Sequence, residues 1–386
     1  MDALKFSEML SDKHITNLKK LKYKYPDDFE EFINILKSSF YEKLPLNDFD
    51  GGNLVYLTSC TGMNLEAVKL LFTAQDSAYA AKAVEEEIVA TSAIESIDFD
   101  RSSVRNIMRG LAPKDREEDR IYGLKLGFDF ISDRHNRITE ENIHKLYMMA
   151  IGDFLEGDYR LRDGEFYRHD DVCVVDGDSV VHRGIGSGKL PGYMKQFVNF
   201  ANADDGINDL LKAAILHFDI AYLHPYFDGN GRMARLLHMW FLIQKGYEST
   251  LFVPMSSYIE KNRKKYYDAY TLIENNAKIS GVTDVTPFLI YFIKNVYGEM
   301  KPDAVKTDAA EKYNEILRSG EVTVKEAKLW QFVLSTYGSE SFTTKQLERD
   351  FGDAAFATVR KFALKFSELG LLDAQEMKNK VVYKIK

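Results

Sequence analysis

Residues 224–237 read HPYFDGNGRMARLL and lie between two strongly apolar helical runs, 206–223 and 231–245. Glycine loses more backbone freedom on folding than any other residue, so Gly229 and Gly231 weaken either flanking helix. The chain must therefore turn at this point. The hinge of a buried helix pair then carries a histidine, an aspartate and two arginines three positions apart.

Each of these residues suits one kind of chemistry. Asp228 opens a turn, and Gly229-Asn230-Gly231 can reach the positive-φ conformations that point successive backbone N–H groups inward. A helix beginning near Arg232 adds the partial positive charge and unpaired donors of its N-terminus. Arg232 and Arg235, spaced i, i+3, rise from one face, and guanidinium forks suit phosphate oxygens. Two arginines beside one nest imply more than one phosphate, hence a nucleotide di- or triphosphate. Asp228 is a hard oxygen ligand of the kind Mg2+ takes alongside phosphates. His224 titrates near neutrality and can accept a proton from an attacking hydroxyl. A lone His-Pro or a lone Gly-Asn-Gly is ordinarily just a turn. Together, at this spacing, they read as a phosphoryl- or nucleotidyl-transfer site.

The rest of the chain frames that site. Its 386 residues suffice for two or three domains. A net charge of −8 argues against whole-chain binding to nucleic acid or anionic membranes. Two cysteines, Cys60 and Cys173, in unrelated contexts make a disulfide framework or zinc site unexpected and fit a reducing, cytoplasmic setting. The N-terminus has acids from its second residue and does not read as a signal peptide. No run approaches the ~18 apolar residues of a membrane span, so no membrane partner is expected. Residues 1–45 read as helices, 46–62 as a turn and a short apolar run, and 64–94, 102–112 and 116–133 as helices. Residues 171–182 read as a β-hairpin turning at Asp176-Gly177-Asp178. Helices resume at 188–203, 206–223, 231–245 and 260–276, with another in DVTPFLIYFIKNVYGEM. A charged connector, about 302–322, leads to helix, turn, helix and a hairpin-like end, the order of a winged helix.

The segment 224–235 resembles the Fic family motif HxFx(D/E)GNGRxxR over its full length. His224, Asp228, Gly229, Asn230, Gly231, Arg232 and Arg235 match, and Tyr226 stands where the family has Phe. The resemblance implies a mainly α fold, the helical Fic (Fido) core with a β-hairpin flap, here followed by a winged-helix domain. The domains expected are 1–112 (an N-terminal helical region with an inhibitory helix), 113–300 (the catalytic core), 301–321 (a linker) and 322–386 (the winged helix). It implies transfer of AMP from ATP, with Mg2+, to a Ser, Thr or Tyr hydroxyl of a target protein. By that resemblance His224 is the general base and Asp228 holds Mg2+. Asn230 and the two glycines bind the α- and β-phosphates, Arg232 the β-phosphate and Arg235 the γ-phosphate. Tyr267, and less directly Asn275, would meet the adenine. Val172, Cys173 and Val174 in the hairpin would form the flap, whose edge can take a target backbone by strand addition.

A second short motif lies upstream. TSAIES, residues 91–96, resembles the family's inhibitory (S/T)xxxE(G/N), with Thr91 and Glu95 matching and Ser96 departing. A Glu95 carboxylate beside Arg235 would pair with it and deprive the γ-phosphate of its partner.

Other candidates read as structure. His217 and His238 fall inside apolar helices and read as core, and GIGSGK at 184–189 lacks the phosphate-loop pattern. The C-terminal unit holds eleven Lys and Arg against eight Asp and Glu. Arg360, Lys361 and Lys365 on its last helix, with Lys378, Lys380 and Lys384 in its wing, would meet duplex DNA. The candidate partners are therefore a hydroxyl-bearing target protein, a second copy of the chain as a homodimer, and DNA. The competing functions are a nucleotide-sensing DNA-binding regulator and removal of AMP by the same site.

Overall fold

The hinge separates two helices, Asp209–Leu223 and Asn230–Gln244, that are buried almost throughout. In the computed structural model the described residues are 1–62, 71, 77–176, 179–300, 313, 316, 321–337, 341–352, 354–377 and 380–386. The chain is mainly helical and divides into two compact units, one of residues 1–73 with 87–300, the other of 74–86 with 301–386.

In the first unit, the two motif helices have packed helices around them. Arg116–Ser132, Glu140–Ala150, Leu190–Asn202 and Arg263–Ser280 each bury one apolar stripe. Asn208 caps the first motif helix, its Oδ1 accepting the Leu210 and Leu211 N–H groups at 3.0 and 3.4 Å. The helix expected over 260–276 is two, Met255–Lys261 and Arg263–Ser280, broken at Asn262. The sequence reading has no element at Glu140–Ala150, although Thr139 caps it by accepting the Asn142 N–H.

The expectation of helices through residue 45 is corrected: Tyr41–Asn47 is a strand paired antiparallel with Asn53–Leu57. Leu44 and Leu46 alternate with exposed Lys43 and Pro45, the period of a strand with one buried face. The boundary expected at 112/113 is also not a structural one. Leu18 N–H donates to Asn276 Oδ1, Asn276 Nδ2 to Thr16 O, and Leu57 N–H to Thr286 Oγ1. These bonds tie the N-terminal helices and hairpin into the core.

The flap hairpin pairs Cys173–Asp176 with Ser179–Arg183, with a register shift between Val174 and Val175. Val172 lies one residue before the strand, and its carbonyl accepts the Gly184 N–H at 3.1 Å. Gly177 and Asp178 of the expected turn lie outside the described residues.

The second unit has helices Val324–Thr336, Thr344–Phe351 and Phe356–Glu368, then an antiparallel hairpin, Leu372–Met377 with Lys380–Ile385. Capping boxes start the first two helices, at Thr323/Glu326 and Thr343/Gln346. Trp330, Phe342, Phe362, Phe366 and Tyr383 form its core. Of the basic residues read as exposed on the last helix, Lys365 is corrected. It donates to Glu326 Oε2 at 2.8 Å and to Glu321 O at 2.6 Å, and so holds the unit together. Lys378 and most of the connector lie outside the described residues. Among those described, no helix is long and apolar enough to cross a membrane.

Candidate active site

The first motif helix ends at His224, whose φ of 53° places it in the left-handed region. Few non-glycine residues adopt this conformation, and it turns the chain sharply away from the helix axis. The His224 N–H still donates to Ile220 O at 3.1 Å. Its Nδ1 lies 3.3 Å from the Ala221 carbonyl. A proton on Nδ1 satisfies that carbonyl and leaves Nε2 as the basic nitrogen, the tautomer a general base needs.

The loop is closed from inside by Asn230. Its Oδ1 accepts the Tyr226 N–H at 2.9 Å and its Nδ2 donates to Tyr226 O at 2.8 Å. The Asn230 side chain is thus spent on loop shape, and what it offers a ligand is its backbone N–H at the helix start. Tyr226 is fully buried and stacks on Tyr147 at 3.6 Å and 4°. Tyr147 Oη reaches the Asp228 carbonyl at 3.4 Å. Gly229 has φ 83°, and a Cβ there would stand 2.7 Å from Ile151 Cγ2, so both conformation and space require glycine. Tyr147 and Ile151, from the unforeseen helix and its end, therefore mould the loop.

Asp228 and Arg232 pair across one helical turn at 3.3 Å. The Asp228 side chain is half-exposed, with Oδ1 accepting the Gly229 N–H at 2.6 Å, and it faces solvent with oxygen to spare. Among the described residues no three His, Cys, Asp or Glu side chains gather as a metal cage. One available carboxylate beside an anion seat fits Mg2+, which keeps water and phosphate ligands rather than an all-protein shell. Arg232 Nε and Arg235 Nη1 are buried and have no hydrogen-bond partner among the described residues. Burial holds the Arg232 guanidinium below its ordinary value, with Asp228 and Glu95 opposing the shift. Buried donors without acceptors are costly, and an anion would satisfy them.

Residues 87–95, which end the helix Ser77–Ile94, present one polar face to this seat. Glu87, Thr91 and Glu95 recur every four residues and so lie on one side. The Glu87 carboxylate receives the Ser256 N–H at 2.7 Å and the Ser256 hydroxyl. Burial pushes the Glu87 carboxyl up, against the two Ser256 bonds and the charge of Arg235. Thr91 takes Arg235 Nε on its Oγ1 at 2.6 Å and Nη2 on its carbonyl at 3.0 Å. Glu95 Oε1 takes Arg235 Nη2 at 2.7 Å. Burial of Arg235 works against its charge, but Glu95, with Tyr266 and Tyr267, outweighs it and holds the guanidinium above its ordinary value. A Cβ at Gly231 would stand 2.2 Å from Glu95 Oε1. The carboxylate thus sits over the helix N-terminus, on the anion seat itself.

Ser96, where the family resemblance has Gly or Asn, takes φ 60° just past the helix end. The serine adopts the left-handed cap that those residues favour. Arg263 closes that end, donating to Ser96 Oγ at 2.9 Å and Ala93 O at 3.3 Å. Tyr267 Oη reaches Ile94 O at 3.4 Å, with the Arg263 guanidinium 5.9 Å from its ring centre. Tyr267 therefore borders the seat. Asn275 is exposed two turns on, about 12 Å along the helix, and is not brought to it. His217 and His238 are fully buried and bond Tyr266 and Tyr297 hydroxyls at 2.8 and 2.9 Å. They belong to the core. Glu87, Tyr147, Arg263 and Arg168, whose Nε donates to His224 O at 2.7 Å, are site-shaping residues that the motifs do not include. A Thr-capped start signalled Tyr147's helix, and the four-residue spacing to Thr91 signalled Glu87. Nothing local signalled the two arginines.

The site is thus a His-to-Arg hinge with a hairpin beside it in a mainly helical fold. Residues 137–242 match the Fic/DOC family. A Fic family protein from Desulfovibrio desulfuricans G20 shares the fold, with TM-score 0.52 and 18% identity over 83% of this chain and 94% of that one. The proteins named protein adenylyltransferase Fic from Drosophila willistoni and Culex quinquefasciatus are each 28% identical to it, over 180 and 181 residues, which is 45% of this chain. The chain spans less than a third of the length of these relatives, 31% in both cases. Residues 137–242 of this chain are thus similar to the Fic/DOC family, and its fold to that of a Fic family protein.

Proposed function

We propose that the protein is an autoinhibited adenylyltransferase, moving AMP from ATP to a hydroxyl side chain of a target protein. The observation that carries this reading is the seat itself: a base on a left-handed turn precedes a glycine nest in which buried Arg232 Nε and Arg235 Nη1 await an acceptor. The name protein adenylyltransferase carried by the relatives supports it.

His224 Nε2 takes the proton of the target hydroxyl as its oxygen bonds to the α-phosphorus, and pyrophosphate leaves. The backbone of residues 229–231 and Arg232 hold the α- and β-phosphates, and Arg235 the γ-phosphate. Asp228 would hold Mg2+, which supplies charge neutralisation on the phosphates. Tyr267 borders the adenine, and residues 172–174 of the flap hold the target's backbone by strand addition. Glu95 inhibits in two ways: it occupies the anion seat over Gly231 and ties up Arg235 Nη2. Residues 322–386 are read as a winged helix that docks a protein. Asp373, Gln375 and Glu376 are exposed on its first wing strand, and Lys365 is internally paired.

The test is labelling by α-labelled ATP in the presence of cell lysate. The Glu95→Gly protein incorporates label into itself or a lysate protein, and adding His224→Ala abolishes it. Equal incorporation with and without Glu95 ends the autoinhibition reading. Incorporation that survives His224→Ala ends the base assignment.

A further inference from the structure

Arg168 lies outside every motif above, yet its side chain is shut from solvent and bound at every nitrogen. Nε donates to His224 O at 2.7 Å, Nη1 to Asp170 O at 2.7 Å, and Nη2 to Ile185 O. Its own N–H donates to Pro225 O at 2.9 Å. Among the described residues a carboxylate, Asp171, lies near it, exposed and 3.8 Å from Nη1. A buried guanidinium is expensive unless its donors are met, and here backbone carbonyls meet them.

Those carbonyls come from two places. His224 and Pro225 belong to the hinge that carries the base. Asp170 and Ile185 flank the flap hairpin, one on each side. The junction has no slack, since a Cβ on Gly184 would stand 2.7 Å from Arg168 Nη2 and 3.1 Å from His224 Cβ. His224 also holds a left-handed backbone, which a non-glycine residue keeps only when its surroundings over-determine it.

We infer that Arg168 is a positioning residue that fixes the left-handed His224 peptide and both feet of the flap as one unit. The base is thereby aimed at whatever hydroxyl the flap presents. The inference rests on the transferase reading, in which His224 is the base and the flap holds the target. A planar fork reaching three carbonyls in different directions is a task that lysine's single ammonium cannot reproduce.

The experiment compares Arg168→Met and Arg168→Lys in the Glu95→Gly background. The hydrogen bonds of Arg168 go to His224, Pro225, Asp170 and Ile185 and not to the phosphate nest, so the Kd for ATP stays within about threefold while self-labelling at saturating ATP falls about 100-fold, as expected for a displaced reacting group. Lysine restores little of the loss. Gly184→Ala leaves Arg168 in place but crowds the same junction, and it shows the same split. Amide exchange is read in parallel, and it speeds up over residues 170–185 and 221–226 only. An unchanged rate at saturating ATP, or rate and affinity falling together with exchange rising throughout, overturns the inference. If Glu95→Gly with Arg168 intact incorporates no label, the transferase reading falls, and exchange decides alone: local acceleration upholds the Arg168 junction, and unchanged exchange refutes it.

Discussion

Glu95→Gln changes the inhibitory contact with little change of shape. The amide keeps an oxygen acceptor for Arg235 Nη2, now 2.7 Å from the carboxylate, but removes the charge. A hydrogen bond to an ionised partner contributes about 1.5–3 kcal/mol and a neutral one about 0.5–1.5, so the difference is about 1 kcal/mol. Glu95 is 30% exposed and Arg235 2%, so screening trims the ionic part without cancelling it. A loss of about 1 kcal/mol shifts the balance between blocked and open seat roughly fivefold. Glu95→Gly removes the bond altogether and clears the nest over Gly231, worth about 2 kcal/mol or roughly thirtyfold. The assay is the initial rate of self-labelling by α-labelled ATP at concentrations below saturation. The order expected is wild type, then Gln, then Gly, with the gap between wild type and Gln narrowing as salt rises. If Gln matches wild type while Gly is active, occupancy of the nest and not charge pairing inhibits. If Gln and Gly are equal, the bond energies above do not govern the switch.

Two further outcomes follow from the same geometry. Arg263→Ala removes the donors to Ser96 Oγ and Ala93 O that close the inhibitory helix, and self-labelling of the otherwise wild-type protein rises by roughly fivefold, measured by the same assay. Asp219 is fully buried, its Oδ1 without a hydrogen-bond partner among the described residues, and burial pushes its carboxyl up to about 8. Its folded pKa lies above its unfolded one, so the stability it contributes is complete below about pH 4 and is lost as pH rises through about 8. Asp219→Asn should therefore flatten the fall in Tm between pH 5 and pH 8 (roughly 1.4 kcal/mol per pH unit in the wild type). Parallel pH profiles for the two proteins would contradict this.

The hinge was legible because its meaning is local: glycines, a base, a carboxylate and two guanidiniums within one short stretch. The inhibitory helix was legible in part. Thr91 and Glu95 stand out by their motif; Glu87 shares their four-residue spacing, but its partner Ser256, 169 residues away, is not legible in the sequence. Ser96 was a departure from the family pattern until its φ of 60° placed it in the cap that Gly or Asn would fill. Arg168 left no trace, since its partners are backbone carbonyls that every residue has. The 112/113 boundary failed because chain order cannot show helix Leu18–Lys24 bonding to Asn276, 258 residues on. The early strand at Tyr41–Asn47 is hidden by its proline and by Glu42 and Lys43, which strands disfavour.

The central claim is that His224 drives transfer of the α-phosphoryl end of ATP to a protein hydroxyl. Glu95→Gly protein incubated in parallel with ATP labelled on the α- or the γ-phosphorus tests it directly. The account predicts covalent label from the α-position only, lost when His224→Ala is added. Label from the γ-position would make the site a phosphoryl transferase and contradict it.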